Sequence, residues 1–165
     1  MVYFTKQEAR NYARSVTASL ESYASKLESI VESQKHKYQF DVFLSHSVKD
    51  AELVLGVVCI LEDMGKKVYV DWVVDKQLSR DSVTKETAET LRTRMKESSR
   101  LLYLATDNAS SSKWMPWELG YFDGLKSGKV AILPLVDSAY SSFQGQEYLG
   151  LYPALDKDGL KRFLD

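Results

Sequence analysis

The chain has 165 residues, 22 Lys and Arg against 23 Asp and Glu, a formal net charge of −1 and a hydrophobic share of 44%. That length fits one domain with at most an appendage, and so balanced a charge supplies no basic field for a phosphate backbone, which excludes non-specific nucleic-acid binding. A single cysteine, Cys59, forms no intramolecular disulfide, and with only His36 and His46 beside it there are too few soft ligands for a structural zinc site, so a reducing, cytoplasmic setting is expected.

The opening stretch MVYFTKQEAR has no apolar leader core, and no later apolar run approaches bilayer length, so neither a leader nor a membrane partner is expected. Residues 6–35 contain no Pro or Gly and follow Thr5, which with Glu8 forms a capping-box pair. The apolar positions Ala9, Ala13, Val16, Leu20, Tyr23, Leu27 and Ile30 step by four and three, which predicts one helix carrying a heptad seam. Two readings of the seam stand: it packs on its own domain, or it pairs with a second protomer.

From residue 37 the period changes. YQFDVFLSH (38–46), KVYVDW (67–72), RLLYLAT (100–106) and KVAILPLV (129–136) are apolar runs rich in aromatic and β-branched residues, as in strands covered on both faces. Asp41 interrupts the first run, either paired or at a solvated strand start. Helical spacing separates the runs. Leu53, Val54, Val57, Val58, Leu61 and Met64 share one face before Gly65, with Cys59 expected to be buried and inert. Val83, Ala88, Leu91 and Met95 form a weaker stripe after the candidate caps Asp81 and Ser82, and a third helix is predicted over residues 113–125. Strands alternating with helices through short turns predict βαβ units, hence a doubly wound α/β domain with a parallel sheet. After Asp137 the pattern becomes loop-like, with a short element at residues 147–151 and a final helix over Lys157–Leu164.

No dinucleotide-binding glycine fingerprint, P-loop or nucleophile elbow is present. In a doubly wound sheet a ligand lies outside the carboxyl ends of the strands, which directs attention to Ser45-His46-Ser47, Asp71-Trp72, residues 106–112 and Val136-Asp137. All three tryptophans, Trp72, Trp114 and Trp117, fall beside these ends. On a helix Trp114 and Glu118 are four apart, so a ring and a carboxylate project together. The alternative is that Trp114 and Trp117 are core and Glu118 is a first-turn carboxylate favoured by the helix dipole.

Three segments in order, FDVFLSHSVKD (40–50), KVYVDW (67–72) and SSKWMPWEL (111–119), resemble the opening strand and loop, the second strand and the Ser-x-W-x-x-x-E-L box of Toll/interleukin-1 receptor (TIR) domains, bacterial members in particular. The resemblance spans roughly residues 38–136 and divides the chain into an N-terminal amphipathic helix, 1–36, and a TIR domain, 37–165. It implies a flavodoxin-like, five-stranded parallel sheet whose fifth strand would fall within residues 146–151. The segment after the second strand, WVVDKQLSRDSVTKET, lacks the Pro-Gly pair of many adaptor-type members, which weakens an adaptor reading.

The enzymatic members cleave NAD+ between nicotinamide and ribose. Carried over by position, Glu118 is the catalytic carboxylate and Trp114 the adjacent ring; Phe43, Ser45, His46, Trp72 and Arg80, placed around the same strand ends, are further candidate NAD+ contacts. Each of the polar three also has a structural reading: Ser45 as a loop cap, His46 as a backbone-ordering group, Arg80 as a solvated cation. NAD+ is then the substrate, with no separate cofactor and no metal. The implied product is ADP-ribose or a cyclic or conjugated form, in bacterial antiviral defence, where it would reach a downstream effector. Self-association through TIR surfaces or the N-terminal helix is expected. The alternative is a non-catalytic TIR assembly module. A receiver domain phosphorylated on Asp107 would need an acidic pair where Ser45-His46 stands.

Overall fold

The structure, a computed structural model, describes residues 1–17, 21–72 and 84–165. Its strands are β1 (Phe4–Thr5), β2 (Phe40–Ser45), β3 (Val68–Val70), β4 (Ser98–Ala105) and β5 (Val130–Val136). The helices are α1 (Lys6–Val16), α2 (Tyr23–Gln34), α3 (Ala51–Asp63), α4 (Lys85–Lys96), α5 (Trp114–Leu125) and α6 (Lys157–Leu164), with short 3-10 turns at Ala109–Ser111 and Glu147–Leu151. The five strands form one sheet in the order β1-β5-β4-β2-β3, every pair parallel. Period-two alternation splits the core into two layers. Val42 and Leu44 of β2 pack with α1, α2, α3 and α6 on one face, while Phe43 packs with α4 and α5 on the other. This is the doubly wound α/β arrangement expected from the alternating runs.

Two expectations for local structure are corrected. Residues 6–35 do not form one helix: α1 ends at Val16 and α2 starts at Tyr23, while Leu20 lies outside the described residues. Side-chain hydrogen bonds to the backbone flank the break. The Ser15 hydroxyl donates to the Tyr12 carbonyl and Thr17 to that of Ala13, and Ser22 then caps α2 by accepting from the Ser25 N–H. The seam packs within the chain at Ala9, Ala13 and Leu27, all fully buried, whereas Val16 is 39% exposed. At the α1–α3 contact, a Cβ added to Gly56 would lie 1.9 Å from the Ala9 carbonyl oxygen, so glycine sets how closely the helices approach.

The second correction concerns the fifth strand. Residues 146–151 hold the 3-10 turn Glu147–Leu151, and the fifth strand is β1, with Phe4 opposite Leu135 and Thr5 opposite Val136. The N-terminal segment is therefore part of the sheet. Thr5 ends β1 and at once caps α1, its hydroxyl accepting from the Glu8 N–H while the Glu8 carboxylate accepts from the Thr5 N–H. At the opposite edge, Gln34 of α2 pairs with Val70 as another strand would, its amide donating to the Val70 carbonyl at 3.2 Å and accepting from the Val70 N–H at 3.1 Å.

Smaller points complete the frame. Thr84 caps α4, accepting from the Thr87 N–H; Asp81, Ser82 and Val83 lie outside the described residues. Asp41 is paired, its carboxylate accepting from the Lys67 N–H at 2.7 Å. Cys59 is half-buried and not fully buried as expected; burial, then Glu62 and Asp63, push its thiol up and keep it protonated. Among the described residues no helix is long and apolar enough to cross a membrane.

Candidate active site

The strand order reverses between β2 and β4: the chain passes from β2 outward to β3, then crosses back to β4 on the other side. The crevice of such a sheet lies at that reversal, outside the carboxyl ends. Ser45 is the last residue of β2 and, two residues after Phe43, faces the α5 side. Its hydroxyl donates to Glu118 Oε1 at 2.7 Å, and the two residues are only 1% and 4% exposed. A carboxylate buried among apolar groups without such a partner would carry a large desolvation cost.

Glu118 is presented by α5, which starts at Trp114 after Lys113 and is begun by the Ser112 hydroxyl accepting from the Met115 N–H. Pro116 sits in the first turn, where backbone N–H groups lack helical partners anyway. Glu118 follows that turn, so the first-turn dipole explanation for an acid at this position is weakened.

Around this pair the other expected residues fall into three groups. Phe43 is fully buried beneath, its ring 5.3 Å from that of Tyr69, itself covered by the Arg94 guanidinium. His46 stacks on Trp72 with ring centres 5.8 Å apart, both buried, and its Nδ1 lies 3.2 Å from the Ser47 carbonyl. Trp114 is buried and meets Trp117 edge-on at 5.4 Å; Trp117 stacks on Tyr121, and Arg92 lies over both rings. The structure thus joins Ser45 with Glu118 and His46 with Trp72. Trp72 belongs to the α3-side core and Trp114 to the α5-side core. Arg80 lies outside the described residues.

Sequence reasoning missed two supports of this edge. Asp50, buried before α3, accepts from the Thr106 hydroxyl and from the Asn108 amide, tying the β2–α3 turn to the end of β4. It stands inside the quoted FDVFLSHSVKD, where an acid beside an apolar helix was its only signal. Lys6, at the start of α1, bonds Asp107 at 2.8 Å and Asp137 at 3.0 Å across the ends of β4 and β5. The hydrogen bonds to Asp107 and Asp137 raise its ammonium above the ordinary lysine value. The neighbouring phenols stay protonated: burial, then Asp71, raises Tyr69, while burial, then the Tyr148 hydroxyl, raises Tyr103. Beside Tyr103 a cleft of about 390 Å³ opens between the ends of β4 and β5 and the segment 141–149. Among the described residues no group of three or more His, Cys, Asp or Glu is placed to hold a metal.

The profile of the family described as "TIR domain" matches residues 42–164. The chain is 55% identical over 119 residues to the "Probable 3' cyclic ADP-D-ribose synthase ThsB'" of Bacillus cereus (strain MSX-D12), covering 72% of this chain and 61% of that protein. It is 32% identical over 88 residues to the "Putative cyclic ADP-D-ribose synthase TIR2" of Cytobacillus dafuensis, covering 53% of this chain and 23% of that protein. The chain therefore spans less than two thirds of the length of either relative.

Proposed function

The chain belongs to the TIR-domain family, and from that premise we propose that it is an NAD+-cleaving enzyme that breaks the nicotinamide–ribose bond, with Glu118 as the catalytic carboxylate. The observation that carries the reading is the buried Ser45–Glu118 hydrogen bond at the reversal of strand order. Glycosidases that expel an alcohol need a second, protonating carboxyl. Nicotinamide leaves NAD+ as a neutral molecule and needs no proton, so one ionised carboxylate suffices. Glu118, held in one orientation by Ser45, stabilises the positive charge that develops at the ribosyl carbon as the C–N bond breaks. The leaving nicotinamide takes the bonding electron pair. An acceptor oxygen or ring nitrogen then bonds to that carbon, and the acceptor group releases a proton to solvent. Water as acceptor gives ADP-ribose; a hydroxyl or ring atom of the same molecule gives a cyclic ADP-ribose.

The printed names of both relatives favour the cyclic product for this chain too. Its role would then be antiviral defence in bacteria, with the product reaching a separate effector. NAD+ serves as substrate and no cofactor is required. Trp114, Trp72 and His46 are buried rings that shape the carboxyl edge, and Phe43 supports the floor. Exposed Tyr12 and Val16 on α1 leave that helix a surface for self-association beside its packing within the chain.

Incubating the purified protein with NAD+ and quantifying nicotinamide tests the reading. Glu118→Gln should lower release roughly 100-fold or more with an unchanged circular dichroism spectrum. Mass spectrometry separates the products, a cyclic one being lighter than ADP-ribose by one water. Unchanged turnover in Glu118→Gln overturns the assignment.

A further inference from the structure

We propose that the cleft at the carboxyl ends of β4 and β5 is a ribonucleoside subsite for the adenosine half of NAD+, an inference that rests on the NAD+ reading above. Its position follows from the sheet. Ser45 is paired in register with Tyr103, and Tyr103 lines the cleft, so the cleft begins one strand, about 4.8 Å, from the residue that holds Glu118. Ala109 and Leu149 in its lining belong to the same apolar cluster as Trp114. Its volume of about 390 Å³ falls in the range of small-molecule sites, and Phe143 adds an aromatic surface.

The lining also selects the chemistry. Among the described lining residues Lys6 is the one cation, and that ammonium is shared by Asp107 and Asp137. Each carboxylate gives one oxygen to Lys6, Oδ2 of Asp107 and Oδ1 of Asp137, and both side chains are 87% exposed, so a second oxygen on each remains at the rim as an acceptor. Paired carboxylate acceptors suit the vicinal hydroxyls of a ribose, the contact by which an acidic residue recognises dinucleotides in other doubly wound folds. The Gln146 Oε1 accepts from both the Tyr103 and Tyr148 hydroxyls, which leaves its NH₂ as a donor for a ring nitrogen. The wall is preformed: a Cβ at Gly145 would lie 2.7 Å from Leu149 Cδ1 and 2.9 Å from the Phe143 ring, so the loop backbone rests directly on the floor. An apolar floor, hydroxyl and amide walls and two rim carboxylates describe a pocket for a neutral, hydroxyl-rich ring system and not for a phosphate.

Calorimetric titration of adenosine into the full chain tests this without catalysis. A ligand of this size at ordinary efficiency binds with a dissociation constant on the order of 0.1 mM. Asp137→Asn and Ser142→Trp, both at exposed positions, should each weaken adenosine at least roughly tenfold. Glu118→Gln should leave it unchanged, and inorganic pyrophosphate should give no saturable heat. In NAD+ cleavage, Ser142→Trp should raise KM with little change in kcat. The proposal is overturned if adenosine shows no saturable binding up to millimolar concentration, if neither variant weakens it, or if pyrophosphate binds as well. Those failures in a protein that still releases nicotinamide sink the subsite alone; adenosine binding in a chain that releases none supports the subsite and sinks the cleavage reading.

Discussion

Removing the Ser45 hydroxyl separates a catalytic Glu118 from a merely structural one. The hydroxyl donates to a carboxylate with almost no access to water, and a donated hydrogen bond favours the ionised form. Hydrogen bonds to charged groups contribute about 1.5–3 kcal/mol, and one pKa unit corresponds to about 1.4 kcal/mol. Ser45→Ala should therefore disfavour the ionised form of Glu118 by up to about 1.5–3 kcal/mol relative to the parent. If nicotinamide release needs the ionised form, the acid limb of kcat/KM against pH moves up, while the loss on the alkaline plateau is smaller. The assay is the pH–rate profile of nicotinamide release for both proteins, with urea unfolding as a control for the fold. An acid limb that stays in place in a folded Ser45→Ala protein, or moves toward lower pH, refutes the reasoning.

Three further changes test the frame that carries the site. Gly56→Ala forces a Cβ against the Ala9 backbone carbonyl, which has no rotamer by which to yield, so α1 must shift; a loss of about 2–3 kcal/mol, read as a fall of the urea midpoint, is expected, and full stability would contradict the close α1–α3 contact. Glu8 is drawn below its ordinary value because, although burial works upward, hydrogen bonds from Lys157 and from the Thr5 backbone and hydroxyl outweigh it. Its contribution is thus present above about pH 4.5 and lost as pH falls through the lower folded value. Glu8→Gln should lower the unfolding free energy at pH 7, read from urea unfolding, by up to about 1 kcal/mol and leave it equal to the parent near pH 2, and a gap that persists in acid would exclude the charge as its origin. Gln34→Leu strips both partners from buried Val70, which should cost about 2 kcal/mol or more and speed exchange of the Val70 amide; unchanged exchange would mean that α2 does not close the sheet edge.

What the sequence disclosed follows from where each signal resides. The central strands β2, β4 and β5 are covered on both faces, so their continuous apolar runs announced them to within about two residues at each end. Helix α5 was equally plain, from Trp114 to Leu125. Strand β1 was hidden because two paired residues are too few for any period to register, and its Thr5 was already explained as the cap of α1. The heptad steps over residues 9–30 misled for a related reason. Periodicity reports which face is apolar, and it survives a break that keeps the same face inward, here one flanked by local hydroxyl bonds at Ser15 and Thr17.

The site divides along the same line. The spacing of Trp114 and Glu118 lies within one helix and was legible; the contact that gives the acid its setting joins residues 73 apart in the chain. Nothing local at Ser45 marks it as the partner of Glu118. Only the strand order, which returns β4 to the far side of β2, brings α5 over the end of β2. Asp50 and Lys6 escaped notice for the same reason, since their partners Thr106, Asn108, Asp107 and Asp137 are reached only once β4 and β5 are in place. The carboxyl edge is thus assembled from the ends of separate strands, each carrying one polar group without meaning by itself. It follows that the strand order, more than any single motif, is what turns Glu118 from an acid on a helix into an acid bonded to the end of β2.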